Sequence, residues 1–149
     1  MTRQYLNDQH VAEEKKLMNI LQEKWDCKID HQNKFAAYDC VAHRSRKPLA
    51  FIELRIRNYG YYEIPDIMIS LSKLIVGRQQ TDITGIPSLF VVWWKKTDDI
   101  GWIDVNKIPL EPNFNLTQKN TNRINDPNEI EVCRNISSAQ FKMIEHLGF

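Results

Sequence analysis

Residues 49–57 of the chain read LAFIELRIR, and residues 35–43 read FAAYDCVAH, with the turn sequence SRKP at 45–48 between them. Both segments are rich in aromatic, β-branched and small residues, and together they predict a β-hairpin. In the second segment Ala, Ile, Leu and Ile alternate with Phe, Glu, Arg and Arg. Because successive side chains of a strand point to opposite faces, this strand has an apolar face and a largely charged one.

The charged face of the hairpin carries two carboxylates. With a turn centred on Arg46, Asp39 lies opposite Glu53 on the neighbouring strand. Like charges at facing positions destabilise a sheet, so this pair needs a cation between them. A register shift of one residue would turn Asp39 to the other face, and the sequence leaves that alternative open.

A third carboxylate lies on a helix before the hairpin. Apolar residues recur at spacings of three, four and seven from Asn7 to Trp25, which predicts an amphipathic helix, and a short strand follows at 27–31. At 100° per residue Glu14 falls near the middle of the apolar stripe. An unpaired carboxylate is costly to bury, so we expect Glu14 to meet a cation, a metal or hydrogen-bond donors.

A second helix is predicted after the hairpin. Pro65 suits its first turn, Gly77 marks its end, and Lys73 lies opposite its apolar stripe. The stripe consists of Ile64, Ile67, Met68, Leu71, Leu74 and Ile75. Later segments are predicted as a strand at 88–94, a strand at 100–105, a long loop at 109–126, a strand near 130–133 and a short helix from Ser138.

These elements predict an α/β fold with the order αβββαβ, in which helices flank a mixed central sheet. The chain has 149 residues, a length that suits one domain over 1–149. The core covers about 7–105, and residues 106–149 form a C-terminal extension.

Composition excludes several classes of protein. No run approaches eighteen apolar residues and the N-terminus does not resemble a signal peptide, so we expect an intracellular, soluble protein with no membrane partner. Three cysteines without a CxxC pair do not make a disulfide framework or a zinc knuckle. The formal net charge of +1 means that any binding of nucleic acid depends on local clusters of charge.

The acidic residues suit a hard divalent cation, because Mg²⁺ prefers carboxylate oxygens together with waters and substrate oxygens. Such a cation offsets phosphodiester charge and lowers the pKa of a bound water. Arg55 lies two residues after Glu53 on the same face, and its planar guanidinium could hold a phosphate oxygen or stabilise charge in the transition state.

The element order and these residues resemble the PD-(D/E)xK nuclease superfamily, with its restriction-endonuclease-like fold, and small phage-type members in particular. The family signature is an Asp on one hairpin strand and Glu-x-Lys on the next; here Asp39 is followed after fourteen residues by Glu53-Leu54-Arg55. The resemblance implies a metal-dependent endonuclease that cleaves DNA with Mg²⁺ or Mn²⁺, and a homodimer is common in such nucleases. The metal ligands that it implies are Glu14, Asp39, Glu53 and the backbone carbonyl of Leu54.

The chain departs from the family signature at one position. Arg55 replaces the lysine, and arginine stays protonated and cannot act as a base. Some family members carry the lysine on the following helix, which would make Lys73 the substitute; its place opposite the apolar stripe leaves it free to reach the site or to lie in water. The implied catalytic residues are therefore Asp39, Glu53, Arg55 and Lys73.

Basic and aromatic residues near the hairpin could follow a DNA backbone. They are His43, Arg44, Arg46, Lys47, Arg57 and Tyr59. Two other functions stay open: a non-catalytic nucleic-acid-binding or interaction protein on the same fold, and an unrelated α/β domain in a phage or host assembly.

Overall fold

A computed structural model describes residues 3–109, 114–118 and 130–144. Its elements are α1 (Arg3–Trp25), β1 (Lys28–His31), β2 (Cys40–Arg44), β3 (Lys47–Arg57), β4 (Asp66–Ser70), α2 (Leu71–Thr84), β5 (Ser88–Trp94), β6 (Asp99–Asp104), β7 (Phe114–Gln118), β8 (Ile130–Ser137) and β9 (Lys142–Met143). Within these ranges no helix is long and apolar enough to cross a membrane.

The central sheet has six strands in the order β1-β2-β3-β5-β6-β9. Strands β3 and β5 are parallel and the other pairs are antiparallel, so the sheet is mixed. Apart from β4, which belongs to a separate three-stranded sheet, the elements from α1 to β5 follow the predicted αβββαβ order. The fold class expected from the sequence is confirmed.

Two hydrophobic clusters cover the two faces of this sheet. Leu17 and Leu21 of α1 pack with Ile52 and Leu54 of β3 on one face, and Leu74 of α2 lies in the cluster on the other face. Strand β5 is buried at every position, as its continuous apolar sequence predicts. Because side chains alternate along β3, the residue between Ile52 and Leu54 points toward the α2 face.

The hairpin register is the predicted one. Cys40 pairs with Ile52, a register that continues to Asp39 opposite Glu53. A two-residue turn at 45–46, with positive φ at both positions, would by itself give a register shifted by one residue. A β-bulge between Ala42 and His43 compensates for this shift. Leu49 of β3 is the extra residue, without a partner on β2, and the pairing beyond it again places Asp39 opposite Glu53. The first strand is shorter than predicted, since residues 34–39 form turns and bends.

The prediction for the second helix is wrong at both ends. Residues 66–70 form strand β4, which pairs with β8, and the helix begins at Leu71. Ile67 and Ile69 are buried while Met68 between them is 42% exposed, which is the period of a strand. Gly77 lies inside α2 rather than at its end. The helix ends before Gly85, whose φ of 75° is the left-handed conformation typical of a C-terminal glycine.

The C-terminal part contributes to both sheets. Strand β8 lies between β4 and β7 in a three-stranded sheet, and β9 pairs with β6 at the edge of the central sheet. The loop prediction for 109–126 is wrong at 114–118, which form β7. Its segments 110–113 and 119–126 lie outside the described residues. The strand near 130–133 is confirmed and extends to Ser137; in the described residues a 3₁₀ turn at Ser138–Gln140 stands where the short helix was predicted.

Candidate active site

Asp39 and Glu53 meet at the end of the hairpin. The backbone N–H of Asp39 donates to Oε1 of Glu53 at 3.1 Å, and the backbone N–H of Leu54 donates to Oδ2 of Asp39 at 3.2 Å. Each acid therefore bonds the backbone of the opposite segment, which fixes both carboxylates at the same place. The structure brings this predicted pair together.

Two cationic side chains form ion pairs with the Glu53 carboxylate. Arg55 Nη2 is 2.7 Å and Lys73 Nζ is 3.2 Å from Glu53 Oε2. Arg55 Nη1 also donates to the backbone carbonyl of Leu54 at 2.9 Å and lies 4.0 Å from Asp39 Oδ2. The cation that the facing acids require is supplied in this structure by the two side chains.

Burial makes these cations necessary. The side chain of Glu53 is only 2% exposed, whereas Arg55 and Lys73 are 28% and 29% exposed. Burial raises the pKa of the Glu53 carboxyl, and the Arg55 guanidinium opposes that rise. A buried carboxylate with two cationic partners in a region reached by solvent is typical of a functional site.

Helix α2 is held against the site by contacts with the segment before Asp39. The Tyr38 hydroxyl donates to the Lys73 backbone carbonyl at 2.9 Å, and Lys73 Nζ donates to the carbonyl of Ala37. Tyr38 is 1% exposed, and burial together with the Glu53 charge raises the pKa of its hydroxyl. Gly77 faces the Tyr38 ring, so the two segments approach closely because Gly77 has no side chain.

Glu14 lies on α1, on the other face of the sheet from Glu53, and it has histidine partners. His10 Nε2 is 3.1 Å and His31 Nδ1 is 3.8 Å from its carboxylate oxygens. Within the described ranges no three His, Cys, Asp or Glu side chains are grouped closely enough to hold a metal ion. The role of Glu14 as a metal ligand stays a prediction.

The donors at Asp39, Glu53 and Leu54 fit a hard divalent cation. They are two carboxylates and a backbone carbonyl, all oxygens, and Arg55 already interacts with all three of these residues. These oxygens therefore already stabilise a positive charge between Asp39 and Glu53. No sulfur or imidazole donor is involved, which favours Mg²⁺ or Mn²⁺ over softer metals.

Two predicted DNA-binding residues have partners within the protein. Arg44 donates to the carbonyls of Trp25 and Asp26 at 2.8 and 2.7 Å, and so fastens the C-terminal end of α1 to the hairpin. His43 Nε2 lies 2.5 Å from Asp30 Oδ2. These contacts give both residues a structural role.

The remaining basic residues lie at two separate places. Arg46 and Lys47 are exposed at the hairpin turn, and Arg46 lines a cleft of about 490 Å³ next to Lys28. This turn is roughly 20 Å along β3 from Glu53, from the rise per residue of a strand. Arg57 and Tyr59 lie beyond the other end of the site and are partly buried. The structure does not bring the basic turn and the acidic pair together.

Sequence reasoning missed Tyr38 and Gly77. Gly77 interrupts an otherwise good helix pattern, and that interruption was the available signal for close packing. His10 precedes Glu14 by four residues, the spacing at which helical side chains meet.

A mixed central sheet with a helix on each face is the architecture of nucleases with a restriction-endonuclease-like fold. Two solved structures of this class are similar to the chain. A Holliday junction resolvase of the archaeal hyperthermophile Archaeoglobus fulgidus has a TM-score of 0.53 and 12% identity, with 86% of this chain and 88% of the resolvase covered. D212, a nuclease from a fusselovirus, has a TM-score of 0.51 and 15% identity, with coverage of 97% and 90%.

The model of the family described as "Phage putative PDDEXK endonuclease" matches residues 1–144. The chain belongs to this phage PDDEXK endonuclease family. No curated protein sequence matches it. At 12% and 15% identity the two solved structures show the fold alone.

Proposed function

We propose that the chain is a divalent-metal-dependent endonuclease that hydrolyses phosphodiester bonds in DNA. The observation that supports this most directly is the meeting of Asp39 and Glu53 across the hairpin, with each carboxylate bonded to the opposite backbone segment. That arrangement places fixed oxygen donors beside two cations. A phosphodiester needs both, since its charge must be neutralised while a water attacks.

Asp39, Glu53 and the Leu54 carbonyl would hold Mg²⁺ or Mn²⁺, and Glu14, which comes from the other face of the sheet, would contribute through water rather than directly. The cation would offset the phosphodiester charge and make a water more acidic. Arg55 contacts a non-bridging phosphate oxygen, because its planar fork suits bidentate recognition of phosphate. Burial raises the pKa of the Glu53 carboxyl, and Arg55 and Lys73 beside it oppose that rise.

Lys73 takes the place of the family's signature lysine. Its ammonium group forms an ion pair with the Glu53 carboxylate, although Lys73 lies on α2 rather than on β3. An ammonium group with this position can orient the attacking water, and unlike a guanidinium it can also release a proton. Lys73 is therefore the residue that allows activity despite Arg55.

The substrate is DNA, and a four-way junction belongs among the forms tested, since one structure similar to this chain is a Holliday junction resolvase. Arg46, Lys47, Arg57 and Tyr59 supply contacts to the backbone outside the cleavage site. The separation of roughly 20 Å between the basic turn and Glu53 is a little more than half a turn of duplex. A homodimer would place two such sites on two strands.

A second candidate is a nucleic-acid-binding protein without activity. The observation that favours it is the position of Arg55, whose permanently charged guanidinium lies beside both Asp39 and Glu53. In that case the ion pair has only a structural role.

A cleavage assay separates these functions. Supercoiled plasmid, linear duplex, single-stranded DNA and a four-way junction are incubated with the protein in Mg²⁺, in Mn²⁺ and in EDTA. Variants D39N and E53Q remove one carboxylate charge each, K73M removes the ammonium, and E63Q is the matched control. Glu63 pairs with Lys96 on the surface, away from Asp39 and Glu53.

We expect cleavage with either metal and none in EDTA. D39N, E53Q and K73M should each lower the rate at least about a hundredfold, because the lost charge interactions are worth about 3 kcal/mol in the transition state. E63Q should cleave like the wild type. If every substrate binds but none is cut in any metal, the inactive alternative is correct.

A further inference from the structure

Arg55 interacts with the same three groups that a divalent cation would use. Its guanidinium lies 2.7 Å from Glu53 Oε2, donates to the Leu54 carbonyl at 2.9 Å, and is 4.0 Å from Asp39 Oδ2. Lys73 differs in this respect, because its ammonium group contacts Glu53 and the Ala37 carbonyl, which is not among the proposed metal ligands.

The shape of the side chain matters as well as its charge. A guanidinium is planar and has five N–H donors, so one Arg55 can span Glu53 and the Leu54 carbonyl at once. An ammonium at the same position is a compact point charge without this fork. Arg55 and a divalent cation oppose each other at these oxygens, because the two positive charges would then lie side by side.

We propose that Arg55 is an internal competitor of the divalent cation. It holds the site closed in the metal-free protein and leaves it when the metal binds. This inference rests on the proposed function. The released guanidinium is then available to the phosphate of the substrate, so a phosphate that holds Arg55 raises the affinity for metal, and metal raises the affinity for DNA by the same factor.

The test measures metal binding without DNA and without turnover. Mn²⁺ is titrated by calorimetry into the wild type and into the variants R55K, R55Q, K73Q and E53Q. R55K keeps the charge and removes the fork, whereas K73Q removes one charge from Glu53 and leaves the fork in place. Circular dichroism shows that each variant is folded.

R55K should bind Mn²⁺ about tenfold more tightly than the wild type, which is the factor that one hydrogen bond to a charged group contributes. R55Q should also bind more tightly than K73Q. If R55K has the wild-type affinity while R55Q and K73Q gain equally, only total charge matters and the competitor role is overturned. If R55K does not fold, the comparison of R55Q with K73Q decides. Equal affinities for Mn²⁺ overturn the proposal, and about tenfold tighter binding by R55Q supports it.

The experiment also separates this inference from the proposed function. If neither the wild type nor R55Q binds Mn²⁺, or if E53Q binds it as tightly as the wild type, the metal site at Glu53 is wrong. If Mn²⁺ binds and E53Q abolishes it, but Arg55 substitutions have no effect, the metal site stands and the competitor role alone is refuted. A second titration uses Ca²⁺ with and without an uncleaved duplex. The duplex should increase the affinity of the wild type for Ca²⁺, and it should increase that of R55Q by a smaller factor.

Discussion

Replacing Gly77 with alanine should destabilise the protein, although Ala is the better helix former. In the interior of an exposed helix the Gly→Ala change stabilises by about 1 kcal/mol. At Gly77 an added Cβ would lie 2.2 Å from the Tyr38 hydroxyl oxygen, 3.0 Å from Tyr38 Cζ and 3.2 Å from a methyl group of Val105. The Tyr38 ring is 1% exposed and cannot turn into solvent.

The magnitude follows from three contributions. Overpacking of a buried site costs about 1–3 kcal/mol. Displacement of the Tyr38 hydroxyl breaks its hydrogen bond to the Lys73 carbonyl, which is worth about 1 kcal/mol. The gain in helix propensity offsets about 1 kcal/mol. We therefore expect G77A to lower the free energy of unfolding by about 2 kcal/mol.

Urea denaturation followed by circular dichroism measures this value, and a double-mutant cycle with Y38F tests its cause. Y38F alone should cost about 1 kcal/mol, and the double variant should cost about 1 kcal/mol less than the sum, because the closest contact has been removed. Q79A, at an exposed position of the same helix, is the control and should change stability by less than about 0.5 kcal/mol. A G77A protein as stable as the wild type, or additive effects in the cycle, would refute the reasoning.

Two further outcomes are expected. Arg44 fastens the end of α1, so R44A should cost about 1–2 kcal/mol of stability while a DNA-binding assay detects little change, and K47A should show the opposite pattern. Cys40 is fully buried, and burial with the neighbouring Asp39 charge raises the pKa of its thiol to about 12. The thiolate is therefore scarce at pH 8, and in a C27S/C133S protein Cys40 should react with a disulfide reagent only after unfolding; rapid reaction of the folded protein would contradict this. Because the pKa is raised by folding, the contribution of Cys40 to stability is complete below pH 9 and declines above it.

The sequence predicted those parts of the fold that depend on neighbouring residues. The hairpin and the buried strand β5 follow from local patterns, and so does the position of Asp39 opposite Glu53. That register is correct for a reason that the sequence did not reveal. A tight turn and an unpaired Leu49 each shift the pairing by one residue, and their effects cancel.

Strand β4 was missed because its pairing partner is distant in the chain. Ile67 and Met68 continue the spacing of the α2 stripe, so a helix pattern and a strand pattern both fit them. The backbone bonds to β8, which begins at Ile130, decide between the two. Contacts at such a distance in sequence are invisible to a local pattern.

The position of Lys73 is the strongest physical indication that the site is functional. Lys73 is the third residue of α2, where the positive end of the helix dipole disfavours a cation, and the first turn contains no acidic residue. Its ammonium group is placed there by Glu53 and the Ala37 carbonyl. Glu53 is in turn buried and needs its cations. An apolar pair of similar volume would fill the same space at a lower cost in folding free energy. A buried ion pair at an unfavourable helix position is therefore expected where the charges have a chemical function.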